Sequence, residues 1–553
     1  MTQRSRPEPP AWLPVLARSL AEALPRLYGC PADPRLRALI SALSAALERG
    51  ELELPLSGPA PEPIAAEGWP EAYLEALATS PLSAEPHGPL VVERGNLLWR
   101  RWHEQRQQVL GDLLARAAPA PITAAAPAAP AATAVGSTAP EGMPRPVRLD
   151  AQQQRAVEAV LTHGLVLLQG GPGTGKTTTV AAMVAAVLER WPQARIQLTA
   201  PTGKAAARLR AATADRLPCS TLHRLLESRG DHFGRDRHRP LPLDLVVIDE
   251  VSMVDLALMG ALLEALPPPG RLVLVGDPDQ LPPIAPGALL LELQRTELRR
   301  SLGAAAIQLS QVHRNAGAIA AVAARLRRCG EAADLRAEIR AELAQQGDQA
   351  NLEWQEQPAR QLPPALLTRL QEHRRRLADL ARDCRSGDRW RELLQERDRL
   401  LALTPVRRGR WGLEAIHRAL LGELDQHDPS GWPEGTPVLC NRNRPDLGLA
   451  NGDVGVLVGA TTAVSQRRLL FGGATPLWVH PAQLAGGAEP ALALTVHKAQ
   501  GSEAEEVVVL LPAEPRLERR LLYTALTRAR RRALMISASG QPESARASSD
   551  SPA

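Results

Sequence analysis

Leu165-Val166-Leu167-Leu168 runs into Gly170-Gly171-Pro172-Gly173-Thr174-Gly175-Lys176-Thr177, and Thr178 opens an apolar-periodic stretch that lasts to Arg190. A short apolar run, a glycine-rich turn and a helical pattern predict a buried strand, a tight loop and a helix over Lys176–Arg190. The octet satisfies G-x-x-x-x-G-K-[ST] in full. Its glycines let backbone N–H groups surround phosphate oxygens, Lys176 adds a positive charge, and Thr177 offers a hydroxyl to magnesium. Gly170 to Thr178 are therefore the expected binding loop for a nucleoside triphosphate, with ATP and Mg2+ as the ligands.

Working outward, Val246-Val247-Ile248 ends in Asp249-Glu250, so a second buried strand delivers adjacent carboxylates to the same sheet edge. Asp249 suits the hydration shell of the metal, and Glu250 suits orienting or deprotonating the attacking water. Ile196-Gln197-Leu198-Thr199 and Leu272-Val273-Leu274-Val275 are further strand candidates. Each ends where polar residues begin, which places chemistry at the carboxyl ends of parallel strands in an open α/β sheet. Gly276-Asp277-Pro278-Asp279-Gln280 repeats that logic. The Gln280 amide both donates and accepts, as a sensor of water or phosphate would, although a turn residue before Pro282-Pro283 explains it too. Phosphoryl transfer also needs positive charge as its transition state develops; Arg314 and Arg528 are the leading candidates, although either alone reads more readily as an ordinary surface arginine.

The chain's 553 residues exceed one hydrophobic core and imply on the order of three or four domains. A formal net charge of +5 favours an anionic partner such as nucleic acid without establishing one. Cys30, Cys219, Cys329, Cys384 and Cys440 lie far apart with no CxxC, which argues against a disulfide framework or a zinc site and for reduced thiols of a cytoplasmic protein. No signal peptide and no apolar span of about 18 to 20 residues is apparent, so no membrane partner is expected.

Residues 1–116 read as a largely helical N-terminal domain, with Leu13, Leu16, Leu20, Leu24 and Leu27 at helical intervals. Residues 117–148 are an Ala/Pro-rich linker. The first α/β domain is expected over 149–300 and the second over 301–553. Within the second, 331–401 reads as charged and largely helical, where Glu372-His373-Arg374-Arg375-Arg376 suits a solvated face as well as a nucleic-acid contact. Short β-like pieces between 437 and 480, separated by Asn451-Gly452-Asp453 and Gly472-Gly473, suggest a small β-insertion.

The ordered motifs resemble those of superfamily 1 helicases of the 5′-to-3′ class, most of all the RecD family, the alpha subunits of bacterial exonuclease V. Beyond the segments above, the resemblance rests on Leu149-Asp150-Ala151-Gln152-Gln153, Thr199-Ala200-Pro201-Thr202-Gly203-Lys204, Thr221-Leu222-His223-Arg224, Gln311-Val312-His313-Arg314, Val496-His497-Lys498-Ala499-Gln500-Gly501-Ser502-Glu503 and Tyr523-Thr524-Ala525-Leu526-Thr527-Arg528. It implies two RecA-like P-loop NTPase domains with a helical N-terminal domain that docks a partner and a small SH3-like β insertion. By the same resemblance Gln153 contacts adenine, Glu503 positions the nucleotide, Gln280 couples nucleotide state to DNA, and Arg314 and Arg528 reach ATP across a cleft. Thr202, His223 and His497 are the implied contacts to DNA, supplied as single strands and duplex ends. Glu227 to Leu243 is either a strand-separating pin or a flexible basic loop. RecB- and RecC-like subunits are the implied partners, one of them cutting, because this chain carries no recognisable nuclease carboxylate cluster. His313 and Ala504 depart from the family pattern, where aromatics are common. A free-standing helicase of the same superfamily is a second reading, disfavoured by the modest N-terminal segment; a DNA-stimulated ATPase acting as a clamp is a third.

Overall fold

A computed structural model describes residues 13–84, 86–119, 149–213, 217–230, 232–312, 317–330, 334–346, 351–384, 389–426, 428–459, 464–473, 475–513 and 517–539. Most of the Ala/Pro-rich linker lies outside that set.

Helices Leu13–Leu27 and Pro34–Glu48 pack together. Asp33 caps the second by accepting from Arg35 N at 2.8 Å, ahead of Pro34 at the first helical position. Strands β1 (Glu53–Pro55), β2 (Leu90–Glu93) and β3 (Asn96–Trp99) then form an antiparallel sheet in the order β1-β3-β2. The sequence reads this region as helical; these strands have three or four residues, too few for alternation to register. Helix Arg100–Ala117 leaves the sheet and enters another core. Its Val109, Leu110, Leu113 and Ala117 are buried with Leu165 and Leu167 and with the helix Leu256–Ala265.

That second core belongs to a parallel sheet of β4 (Leu165–Gly170), β5 (Ile196–Ala200), β6 (Cys219–Thr221), β7 (Leu245–Ile248), β8 (Arg271–Gly276) and β9 (Ala306–Leu309), in the order β6-β5-β7-β8-β4-β9. Alternation separates its two faces. Leu165, Leu167, Val246, Ile248, Leu272 and Leu274 pack on one side, while Val166, Leu168, Leu245, Val247, Val273 and Val275 pack on the other. Helices therefore cover both faces, as a parallel sheet requires. Because β7, β8 and β4 are neighbours, the loops after them emerge side by side at one edge.

Strands β10 (Leu352–Pro358) and β11 (Leu400–Thr404) begin a second parallel sheet. The chain then makes an antiparallel sheet of β12 (Pro437–Cys440), β13 (Val454–Val458), β14 (Arg468–Phe471), β15 (Leu477–Val479) and β16 (Ala488–Pro490), in the order β15-β14-β13-β12-β16. It returns as β17 (Leu494–Thr495), β18 (Ala504–Leu511) and β19 (Ala529–Ser539), completing the parallel order β10-β19-β18-β11-β17. The antiparallel sheet thus interrupts the chain between two adjacent strands of the second sheet, and it runs past 480 because β16 turns back to pair with β12. β10 stands within a stretch expected to be helical. It is an edge strand whose Glu353, Gln355 and Gln357 give no apolar run to read.

Candidate active site

The loop after β4 is shaped by its glycines: Gly173 and Gly175 hold φ of 75° and 82°, where a side chain is strained. A Cβ on Gly170 would lie 2.5 Å from Thr174 Oγ1, which donates to Gly171 O at 2.8 Å. Lys176 Nζ folds back over the loop and donates to Gly170 O at 2.8 Å and Gly171 O at 3.0 Å. Thr177 and Thr178 stand exposed on the first helical turn beside Pro172 and the loop.

Asp249 and Glu250 follow β7 at the same edge. Glu250 has φ 54°, in the left-handed region, and its N–H donates to Asp249 Oδ1 at 2.9 Å. Burial, and then the charge of Glu250, push the Asp249 carboxyl up to about 6, while Lys176 acts in the opposite direction. Asp277, after β8, is likewise raised by burial and opposed by Lys176. The ammonium therefore acts on two carboxylates, Asp249 and Asp277, that the topology brings to one edge.

Gln153 is buried and builds a capping box: its Oε1 accepts from Asp150 N at 3.1 Å, while Asp150 accepts from Gln153 N at 2.9 Å. The Gln280 side chain is 5% exposed and its Oε1 has no partner among the described residues. An orphaned buried acceptor of this kind is costly and marks a group available to a ligand.

Residues 277–281 dock against the helix Arg519–Leu526 of the second sheet's side. Tyr523 Oη donates to Asp277 Oδ2 at 2.8 Å, Arg519 Nη1 to Asp279 Oδ1 at 3.1 Å, and Leu281 N to Thr524 Oγ1 at 2.9 Å. Gln500 Nε2 adds a bond to Leu281 O at 2.8 Å. Sequence reasoning singled out both motifs but not these partners. Tyr523 and Asp277 are 246 positions apart, and nothing local links them.

Glu503 joins the two sides by ion pairs to Arg208 at 3.3 Å and Arg530 at 3.0 Å. Burial works against its charge, but Arg208 and Arg530 hold its carboxyl below the ordinary value. Arg528 remains on its own side of the cleft. It is 2% exposed, with Nε donating to Thr524 O at 3.0 Å and Nη1 to Ser502 O at 3.4 Å. Arg314 and His313 lie outside the described residues.

Thr202 caps the helix Gly203–Ala212, its Oγ1 accepting from Ala205 N at 3.3 Å. A Cβ on Gly501 would come within 2.8 Å of that oxygen, so the two motifs meet here at a glycine. His223, in the short helix Leu222–Leu225, and His497 are both lowered by burial. His497 lines a groove with Pro282, Pro283, Ile284 and Leu521.

The chain has three lysines, Lys176, Lys204 and Lys498, against an Lys+Arg total of 65. Lys204 Nζ donates to Ser502 Oγ at 2.8 Å across the cleft, and Lys498 Nζ to Glu489 Oε1 at 2.6 Å and Asn441 Oδ1 at 3.0 Å. In a chain that otherwise uses arginine, a lysine points to a site wanting a compact ammonium. That signal could have found Lys204 and Lys498.

Residues 153–286 match the family model described as AAA domain, and residues 490–536 match the UvrD-like helicase C-terminal domain. The RecBCD enzyme subunit RecD of Mycolicibacterium smegmatis is 38% identical over 533 residues, covering 90% of this chain and 86% of that protein. The RecBCD enzyme subunit RecD of Mycobacterium tuberculosis H37Rv is 36% identical over 505 residues, covering 85% and 81%. The ATP-dependent RecD2 DNA helicase of Deinococcus radiodurans is 33% identical over 401 residues, covering 69% of this chain but 48% of that protein.

Proposed function

This chain belongs to the RecD family and is an ATP-hydrolysing helicase of DNA repair and recombination, and we propose that it moves 5′ to 3′ along single-stranded DNA drawn from duplex ends. It does so in the cytoplasm as the motor subunit of a RecBCD-like complex, beside RecB- and RecC-like partners. The two parallel sheets act as RecA-like domains over 149–300 and 301–553, and the antiparallel insertion is SH3-like. Residues 1–116 dock the motor to its partners through the linker 117–148. Residues 227–243 serve as the pin, a role favoured by the ion pairs of Glu227 with Arg235 at 2.8 Å and Arg239 at 3.3 Å, which brace a basic segment.

The observation that carries this reading is the docking of residues 277–281 on the helix Arg519–Leu526. It links the loop beside the phosphate site to the second sheet through both side chains and backbone. Lys176 exchanges its loop carbonyls for phosphate oxygens, and Glu250 orients the attacking water. Gln280 uses its unpaired Oε1 to sense the nucleotide. Gln153 contacts adenine, Glu503 positions the nucleotide, and Arg314 and Arg528 add charge at the transition state. Thr177 and Asp249 would hold Mg2+, because a divalent cation would offset the burial and the Glu250 charge that raise Asp249, and when bound it neutralises phosphate charge. Among the described residues no group of three or more His, Cys, Asp or Glu gathers for a metal. Changes in the cleft then alter the grip of Thr202, His223 and His497 on the strand, which converts hydrolysis into movement.

The test is unwinding of duplexes with a 5′ or a 3′ single-stranded tail, with ATP and Mg2+, in the presence and absence of the partner subunits. Strand separation from the 5′ tail, enhanced by the partners, is expected. Unwinding from the 3′ tail alone would overturn the polarity, and ATP turnover without unwinding beside both partners would reduce the motor to a clamp.

A further inference from the structure

The helix Ala318–Arg328 belongs to the second sheet's side, with Ile319, Val322 and Leu326 in its core. Its last turn faces the phosphate loop. A Cβ built on Gly171 would lie 3.4 Å from Arg327 Nη1 and 3.2 Å from Tyr523 Oη. Two side chains from across the cleft therefore close over the loop at Gly171, which has no side chain of its own.

Arg327 is held there by its backbone. Arg519 Nη1 donates to Arg327 O at 3.1 Å and to Asp279 Oδ1 at 3.1 Å, pinning the helix end to the loop after β8. The guanidinium itself is exposed in the cleft, and no carboxylate pairs with it among the described residues. Arg528 is the opposite case: buried, and committed to the carbonyls of Thr524 and Ser502. An arginine unpaired with any carboxylate among the described residues, and pointing at the space above Gly171, needs little motion to place its fork on two phosphate oxygens.

We propose that Arg327 binds the terminal phosphates of ATP from the second sheet's side, facing Lys176, and strengthens that contact as the transferring phosphate gathers charge. The proposal rests on the loop being the ATP site. Because Arg327 reaches the nucleotide from the other side of the cleft, ATP would tie the two sides together in a way that ADP would not.

The experiment uses the full chain with Arg327→Ala, Arg327→Lys and, as a control on the site itself, Lys176→Ala. Binding of ADP and of ADP with aluminium fluoride, single-turnover hydrolysis and thermal melting are measured on each. Arg327→Ala should leave ADP affinity within about twofold and lower the aluminium fluoride complex affinity and the turnover rate by about tenfold or more, with lysine intermediate. Unchanged turnover, or equal losses for ADP and the aluminium fluoride complex, would overturn the proposal, as would a drop in melting temperature with both chemical readouts intact. Normal hydrolysis by Lys176→Ala would remove the ATP site, and this proposal with it.

Discussion

The hydroxyl of Tyr523 donates to Asp277 Oδ2 across the cleft at 2.8 Å, and each residue is 1% exposed. Burial raises the Asp277 carboxyl; Lys176 and the Tyr523 hydrogen bond oppose it. Burial, and then the same contact, raise the tyrosine, so the proton stays on the phenol. A hydrogen bond of this kind contributes about 0.5–1.5 kcal/mol, and more where the acceptor is ionised, enough to bias a two-sided cleft.

Tyr523→Phe keeps the ring and removes that bond. ATP affinity should change little, while the ratio of DNA-stimulated to basal hydrolysis should fall by about tenfold, the factor that about 1.4 kcal/mol of lost coupling predicts. Steady-state ATP turnover with and without single-stranded DNA measures it. An unchanged ratio would mean that the bond is only packing.

Lys176→Ala and Glu250→Gln should separate binding from chemistry. Lys176 is tied only to loop carbonyls among the described residues, so its loss should abolish most turnover without unfolding the sheet. Glu250→Gln preserves size and the left-handed turn's backbone bond to Asp249; ATP should still bind while turnover falls by about 100-fold or more. Normal turnover at saturating ATP in either folded variant would require another catalytic arrangement.

The candidate nucleotide site was legible because its strands are buried on both faces. β4, β7 and β8 read as apolar runs, and polar residues follow where they end. The helix Lys176–Arg190 begins and ends where its pattern predicts. β10 was not legible, since an edge strand needs no continuous apolar face, and neither were the short β1 to β3. The partners of Asp277 and Arg528 escaped for a different reason. Which hydroxyl or carbonyl a side chain meets is decided by the docking of two sheets, and motif spacing carries no record of it.

Lys204 gives a pH test. Burial and then Arg397 lower its ammonium to about 8 from 10.5, with Arg208 acting in the same sense and Asp398 and Asp453 opposing. Between those values the unfolded chain binds a proton that the folded chain lacks, so stability should rise with pH across this window. Below about 8 both states are protonated and the contribution is level. Urea midpoints of wild type and Lys204→Met, compared from pH 7 to 10.5, should show a rising difference that Met flattens. Parallel curves would mean that Lys204 titrates as an ordinary surface lysine.

The docking role of the N-terminal region must be tested with a cut chosen by packing. Deleting residues 1–116 removes Val109, Leu110 and Leu113, at 2%, 8% and 0% exposure, from the core shared with the first sheet. It also removes Arg116, whose guanidinium donates to the carbonyls of Gly270 and Leu266. At about 1.5–3 kcal/mol for each large apolar side chain, the loss is on the order of 5 kcal/mol or more, comparable to the stability of a whole domain. That truncation should aggregate, whatever the region does. A chain beginning at Arg100 keeps this helix and discards β1 to β3 and the two leading helices. It should hydrolyse ATP, melt as a folded protein, and fail to co-purify with RecB- and RecC-like subunits in a pull-down. Full partner affinity in a folded 100–553 chain would assign docking to the motor itself and leave the first 99 residues as a stabilising module.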